Sequence, residues 1–293
     1  MTMVADRRRI RTSGLELSER ALGSLRVVPV LVTAAHRPFA RRLAARLLDE
    51  GGEVRVVAAG DVGSLRAAGA FVSVADPDDE GRLEAALADV HTVLHVGGGL
   101  ATPDPQRLVD DAKVVARAAA GAGVQRVIGL SLPGAVADAS DPLRRAKAAV
   151  EHHLASVPCP SVVVRAGLID TPWLRDLLVT GGLDPQLLEH EVAPVTASDL
   201  LELLVAFDRA RASAPDGHLV VAADGPQRLS LARYLERVGA DRVGHGSLRG
   251  RRWPDPATID RVVEVLAGPW WSHDPMLVDG WAFAQHEPAV PGI

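Results

Sequence analysis

A short apolar strand, Val30 to Val32, runs straight into Thr33-Ala34-Ala35-His36-Arg37-Pro38-Phe39-Ala40, the part of the chain best suited to hold an anion. Strand, tight turn and then helix, here from Arg41 to Leu48, aims main-chain amides and a helix N-terminus at negative charge. Turns of this kind ordinarily read Gly-x-x-Gly-x-x-Gly, because glycine admits positive φ and lets a pyrophosphate touch the backbone. Here Ala34, Arg37 and Ala40 stand at those three positions. An alanine held at positive φ is strained, and Arg37 projects a guanidinium where phosphate would sit. Arg37 has two readings: a cation that recruits a small anion, or a side chain that fills an emptied space. A cation at a helix N-terminus opposes the dipole unless it is paired, which argues for an anionic companion.

Three other polar side chains could move a proton or polarise a carbonyl. Lys147 is one of only two lysines, with Lys113, in a chain holding 32 basic residues. It reads either as an ammonium facing a ligand or as a solvated helix residue. Ser131 closes an apolar run and reads either as a donor to a substrate carbonyl or as an ordinary strand-end serine. His95 lies inside another apolar run, where packing under a sheet edge accounts for it as well as acid–base work does. Next to it, Gly97, Gly98 and Gly99 leave room for a ligand to approach the backbone. His152 and His153 are adjacent on a helix and cannot face one metal together. The ten histidines show no His-Glu-x-x-His or similar ligand spacing, so no metal site is expected.

The elements that must position these groups alternate. Strands are expected at Glu53 to Ala58, Phe71 to Ala75, His91 to Val96, Val124 to Ser131 and Ser161 to Arg165, after the first at Val30. Helical periodicity lies between them, at Leu83 to Ala88, Gln106 to Ala120 and Pro142 to Ala155. Strands alternating with helices imply a parallel, doubly wound Rossmann-type α/β sheet. After Arg165 the pattern loosens into helices at 173–179, 200–209, 230–238 and 257–266, with one strand at 218–222. Residues 26–165 are therefore expected to form the Rossmann-like unit. Residues 166–293 would be a smaller, mostly helical lobe, and residues 1–25 an N-terminal extension. Apolar residues make up 47% of the 293, enough for a large core, and with 3% aromatics it must be aliphatic. Trp173, Trp270 and Trp271 suit a pocket wall, the core or an oligomer contact equally well.

Composition excludes several function classes. A net charge of −5 offers no footprint for nucleic acid. One cysteine, Cys159, excludes an intrachain disulfide framework and fits a reducing compartment, so a cytoplasmic protein is expected. Arg7-Arg-Arg-Ile-Arg11 has no apolar run behind it, and no segment is long enough to span a bilayer. The bias to Arg, Ala, Val and Gly is associated with bacterial sources.

In order and spacing, several segments resemble the extended and atypical short-chain dehydrogenase/reductases, including NmrA-like proteins and NAD-dependent epimerase/dehydratases. Thr33 and Ala35 match the Thr-Gly-Ala-Thr-Gly-x-x-Gly opening. Val74-Ala-Asp76 is similar to a Gly-Asp-Leu whose Asp contacts adenine, and Asp89 to Gly99 to the family's strand four. Arg126 to Ser131 resembles the strand ending in the active-site Ser/Thr. Asp141 to Glu151 is similar to the Ser-Pro-Tyr-x-x-x-Lys helix, which carries the family's Lys onto Lys147. Arg165-Ala-Gly167 and Pro194 to Asp199 resemble Arg-Pro-Gly and Val-His-Val-x-Asp. The candidate cofactor contacts are then Thr33, Arg37, Asp76, Gly97 and Gly98, vestigial or serving a small anionic ligand, and the candidate catalytic groups, if the chain is an enzyme, are Ser131, Lys147 and His95.

The departures from the family matter more than the matches. Leu143 stands where the family has its catalytic Tyr, and leucine cannot transfer a proton. The sole tyrosine, Tyr234, has Val238 rather than Lys four residues on, and an amphipathic helix explains it. Strand two ends in Val57-Ala-Ala-Gly-Asp61 without an Arg for a 2′-phosphate, and Asp61 suits a helix N-cap. These losses lead to an expected non-redox role without a dinucleotide cofactor: ligand binding, regulation or scaffolding in a bacterial pathway, with a small molecule or protein partner. A homo-oligomer stays open. Two alternatives also stay open. One is a cofactor-independent cyclase, dehydratase or isomerase using Lys147, Ser131 and His95. The other is a reductase or epimerase that binds NAD or NADP through an unusual turn.

Overall fold

The computed structural model describes residues 28–74, 79–180, 185–210, 217–225, 227–238 and 256–270. The expected extension at 1–25, the adenine-contact candidate Asp76 and Trp271 lie outside these residues.

Eleven strands can be described: β1 (Val30–Val32), β2 (Val54–Ala58), β3 (Phe71–Val74), β4 (Thr92–His95), β5 (Arg126–Ser131), β6 (Ser161–Ala166), β7 (Ile169–Asp170), β8 (Glu191–Val192), β9 (Val195–Thr196), β10 (His218–Ala223) and β11 (Leu229–Ser230). Ten helices accompany them. In the first half of the chain these are α1 (Pro38–Leu48), α2 (Gly63–Ala67), α3 (Glu80–Leu87), α4 (Pro105–Gly121) and α5 (Pro142–Ala155). In the second half they are α6 (Pro172–Thr180), α7 (Pro185–Leu188), α8 (Ala197–Arg209), α9 (Leu231–Arg237) and α10 (Pro256–Leu266).

Seven strands form one sheet in the order β10-β6-β5-β4-β1-β2-β3, with every pairing parallel. A parallel sheet covered on both faces needs strands apolar on both faces, and these alternate between two cores. Val30, Val32, Val54, Val56, Ile128 and Val162 point to the face under α1 and α8. Leu31, Val57, Val93, Val127 and Val163 point to the face under α3, α4 and α5.

Polar residues start the helices where the sequence places them. Asp104 and Asp141 accept the Gln106 and Arg144 main-chain amides, with proline in the first turn of both helices. Asp61 does not hold the N-cap of α2, which is Val62, but its carboxylate accepts the Gly63 amide at 2.8 Å.

The strand expected in the C-terminal lobe, β10, is the seventh strand of the main sheet, paired with β6 along its whole length. Helix α8 likewise packs on the main sheet's face. Residues beyond 165 thus contribute a strand and a helix to the Rossmann layers. The rest forms a small cap of α6, α7, α9 and α10, whose Leu174, Leu187, Leu231 and Val262 join the core under α4 and α5. Among the described residues no helix is long and apolar enough to cross a membrane.

Candidate functional site

The sheet order reverses between β1 and β4, and open α/β sheets bind ligands at such a point, beyond the strands' C-terminal ends. A crevice of about 340 Å³ lies there. Thr33, Ala34, His36 and Arg37 wall it from the β1 turn, and Val57 to Ala59 from the end of β2. His95, Gly97 and Gly98 close it from β4, and one face of α4 from the side.

The β1 turn keeps a glycine-like path without glycine. Ala34 sits at φ 54, the left-handed region, which costs an L-residue of order 1 kcal/mol or more. The Thr33, Ala35 and Arg37 amides donate to the Leu94, Val57 and Ala34 carbonyls at 3.1, 3.2 and 2.8 Å, so they are turned away from the crevice. Pro38 opens α1 and supplies no amide. Arg37, the N-cap residue, is exposed, and its side chain has no hydrogen bond or ion pair among the described residues. Its neighbour Arg41 is engaged, donating to the Asp61 carbonyl at 2.9 Å. His36 Nδ1 is buried without a hydrogen-bond partner among the described residues. Partial burial and the charges of Arg37 and Arg41 hold His36 below the ordinary imidazole range.

Beneath the crevice, His95 is buried, and its Nδ1 lies 3.1 Å from the Thr33 hydroxyl. Burial, with a smaller push from the Lys147 ammonium, takes its pKa down to about 3, so the ring is neutral at pH 7. Gly98, at φ 82, admits the Leu108 side chain so closely that a Cβ would lie 2.6 Å from Leu108 Cδ1.

Lys147 does not face the crevice. Its ammonium is 2% exposed and donates to the Gly97 and Leu130 carbonyls at 2.7 and 2.9 Å. A buried cation needs acceptors, and these two carbonyls tie the end of β5 to the loop after β4. Burial lowers its pKa to about 8, against a pull upward from Glu151, which is held bidentately by Arg165 at 2.9 and 2.7 Å. Between about pH 8 and 10.5 the unfolded chain keeps a proton that folded Lys147 has released, so stability should rise with pH there. Lys147→Met should abolish that rise and cost about 2–4 kcal/mol for two orphaned carbonyls. Urea unfolding of both proteins across this window checks it; equal slopes would refute the burial argument.

Ser131 is buried, and its Oγ has no hydrogen-bond partner among the described residues. Neither Ser131 nor Lys147 lines the crevice, whereas Thr33, Arg37, His95, Gly97 and Gly98 do.

The region after β5, where the resemblance puts the reacting groups, is packed. Leu143 is buried in one apolar cluster with Leu132, Val265, Leu266 and Trp270. The next residue, Arg144, is 1% exposed and knots three segments together. Its guanidinium donates to Asp141 Oδ2 at 2.7 Å and to the Pro133, Val265 and Pro269 carbonyls at 2.9, 2.9 and 2.6 Å. It also lies 5.2 Å from the centre of a Trp270 ring. A Cβ on Gly134 would collide with Pro269 at 2.4 Å, and one on Gly268 with Arg144 Nη1 at 2.2 Å.

Tyr234 is more than a packing residue: its hydroxyl donates to Asp170 Oδ1 at 2.6 Å, and Asp170 is also paired with Arg175. Trp270 belongs to the core, Trp173 packs against it, and Cys159 is half-buried beside it. Sequence reasoning missed Arg144, Arg107 and Asp111. For Arg144 the available signal was an arginine three residues after the N-cap Asp141, on a helix face that is otherwise apolar.

Residues 34–170 match a family of domains described as NAD(P)H-binding. The match covers slightly less than half of the 293 residues. The parallel Rossmann-type sheet agrees with a domain of that description. Triphenylmethane reductase of Citrobacter sp., solved with NADP(H), superposes with a TM-score of 0.61 at 17% identity, over 80% of this chain and 90% of that one. UDP-glucose 4-epimerase of Thermotoga maritima, solved with UDP-glucose, gives 0.57 at 15%, over 71% and 80%. A dTDP-glucose 4,6-dehydratase double mutant from Streptomyces venezuelae, with NAD bound, gives 0.58 at 16%, over 71% and 79%. At these identities the likeness is one of fold. No curated protein matches the chain by sequence.

Proposed function

We propose that this NAD(P)H-binding-family domain serves a non-redox role, as a protein that binds a small anionic ligand rather than a working dinucleotide-dependent enzyme. The observation that carries this is the unequal fate of the two halves of the cleft. The phosphate side is open and offers the unengaged Arg37, while the side after β5 is filled by Arg144, Pro269 and Trp270.

The residues present do not fit a dinucleotide. The turn has lost its glycines and the first amide of α1, and the arginine expected for a 2′-phosphate after β2 is missing. Leucine replaces the phenol, and Lys147 is committed to two carbonyls. A volume of about 340 Å³ also lies at the low end of ligand sites, which run from roughly 300 to 1,000 Å³.

One observation favours a different reading, an NAD(P)-dependent reductase or epimerase with an altered turn. Ala34 keeps the left-handed backbone that the glycine loop requires. Calorimetric titration with NAD+, NADH, NADP+ and NADPH separates the two. Weak or absent binding is expected; a Kd tighter than about 10 μM for any of them, roughly −7 kcal/mol, would overturn the non-redox reading.

A further inference from the structure

We infer that the crevice takes an apolar monocarboxylate, a flat or aliphatic body carrying one negative charge, with Arg37 as the residue that selects the carboxylate. The inference rests on the non-redox reading above and adds the chemical class of the ligand.

The argument begins with the charge of the lining. Two arginines and one aspartate contribute, Arg37, Arg107 and Asp111. Arg107 and Asp111 neutralise one another across one helical turn of α4, at 3.2 Å. His95 and His36 both titrate below the usual imidazole range, so neither adds a full charge at pH 7. Among the described lining residues one uncompensated positive charge remains, on Arg37. A pyrophosphate or phosphate monoester brings about two negative charges and needs several amides or cations to replace its hydration. The turn's amides are largely engaged, so a carboxylate matches the site where a phosphate would be undercompensated. Its two oxygens also suit the guanidinium fork.

The rest of the lining sets the body of the ligand. Away from Arg37 the wall is aliphatic: Val57, Leu83, Leu108 and Val115, with Ala58 and Ala59 at the end of β2. Leu108 leans over Gly98 and narrows the floor. Such a wall favours methylenes or an aromatic ring over the hydroxyls of a ribose, which would be desolvated without partners.

Calorimetry with the full-length protein tests this, using 2-naphthoate, decanoate, adenosine monophosphate and inorganic pyrophosphate as probes alongside the four dinucleotides. Saturable one-to-one binding of naphthoate or decanoate is expected. Arg37→Gln should weaken it at least tenfold without changing thermal stability, because the Arg37 side chain contacts no partner among the described residues. Ala59→Trp, at an exposed position on the rim, should abolish it by filling the slot. No binding of either carboxylate, or binding that Arg37→Gln leaves unchanged, would overturn the inference. Tighter Arg37-dependent binding of the monophosphate or pyrophosphate would overturn the carboxylate assignment and leave the non-redox reading intact. Tight dinucleotide binding would instead remove the reading on which the inference rests.

Discussion

Replacing Arg144 with methionine should lower the free energy of unfolding by roughly 3–5 kcal/mol, the usual cost of removing one partner from a buried, hydrogen-bonded ion pair. The side chain is 1% exposed and its partner Asp141 is 2% exposed, so the surviving carboxylate would sit in the core without its counter-charge. Three main-chain carbonyls, on Pro133, Val265 and Pro269, would lose donors at the same time. Two of these belong to the segment that closes the region after β5, so the substitution should loosen that closure as well as the core. Urea unfolding followed by far-UV circular dichroism gives the size of the effect. Tryptophan fluorescence reports the local loosening, since Trp270 stacks on the guanidinium. Adding Asp141→Asn should recover part of the loss by neutralising the stranded charge, although the asparagine must still cap α5. A loss below about 1 kcal/mol in Arg144→Met would mean that the knot does not hold the C-terminal helix in solution.

Acid should destabilise the protein through His95. Its folded pKa is about 3 against an ordinary 6.5, because the ring is fully buried. Below pH 6.5 the unfolded chain therefore binds a proton that the folded chain refuses. The stabilisation is complete above 6.5 and drains as the pH falls toward 3, at up to about 1.4 kcal/mol per pH unit. Integrated over that window, the contribution is roughly 4–5 kcal/mol. The carboxylates add their own acid sensitivity, so the decisive quantity is the difference between two proteins. His95→Asn keeps a side chain that can bond Thr33 but does not titrate, and it should show a distinctly shallower fall in stability between pH 6.5 and 4. Parallel slopes would show that His95 takes up its proton in the folded state.

The resemblance to short-chain dehydrogenase/reductases singles out positions 143 and 147, and both side chains are committed inside the fold. Leu143 lies in the apolar core. Lys147 turned inward to bridge β4 and β5, which keeps the sheet's edge rigid without presenting a charge to a ligand. The corner after β5 serves as packing between the sheet and the C-terminal helix.

Much of this could be read from the chain before its structure. The alternation of β1 to β6 with α1 to α5 is a local signal, carried by period-2 and period-3.6 apolar patterns, and it specifies a parallel sheet. The turn after Val32 announced itself by strand and helix alone, and the position of Ala34 foretold the positive φ found there. The replacement of Tyr by Leu143 was likewise visible from residue types. Other features were hidden because they depend on residues distant in sequence meeting in space. Lys147 reads the same whether it faces solvent, a ligand or the Gly97 carbonyl 50 residues away. Arg144 finds the Val265 carbonyl across 121 residues, a contact no local pattern encodes. Strand β10 joins the main sheet rather than the lobe because its hydrogen-bonding partner, β6, had a free edge. Periodicity and residue chemistry thus specify which elements form and which residue types stand at each turn and strand end, since both are properties of neighbours along the chain. Which half of the cleft stays open was decided only when Arg144 was desolvated and had to find acceptors, and the C-terminal helix supplied them.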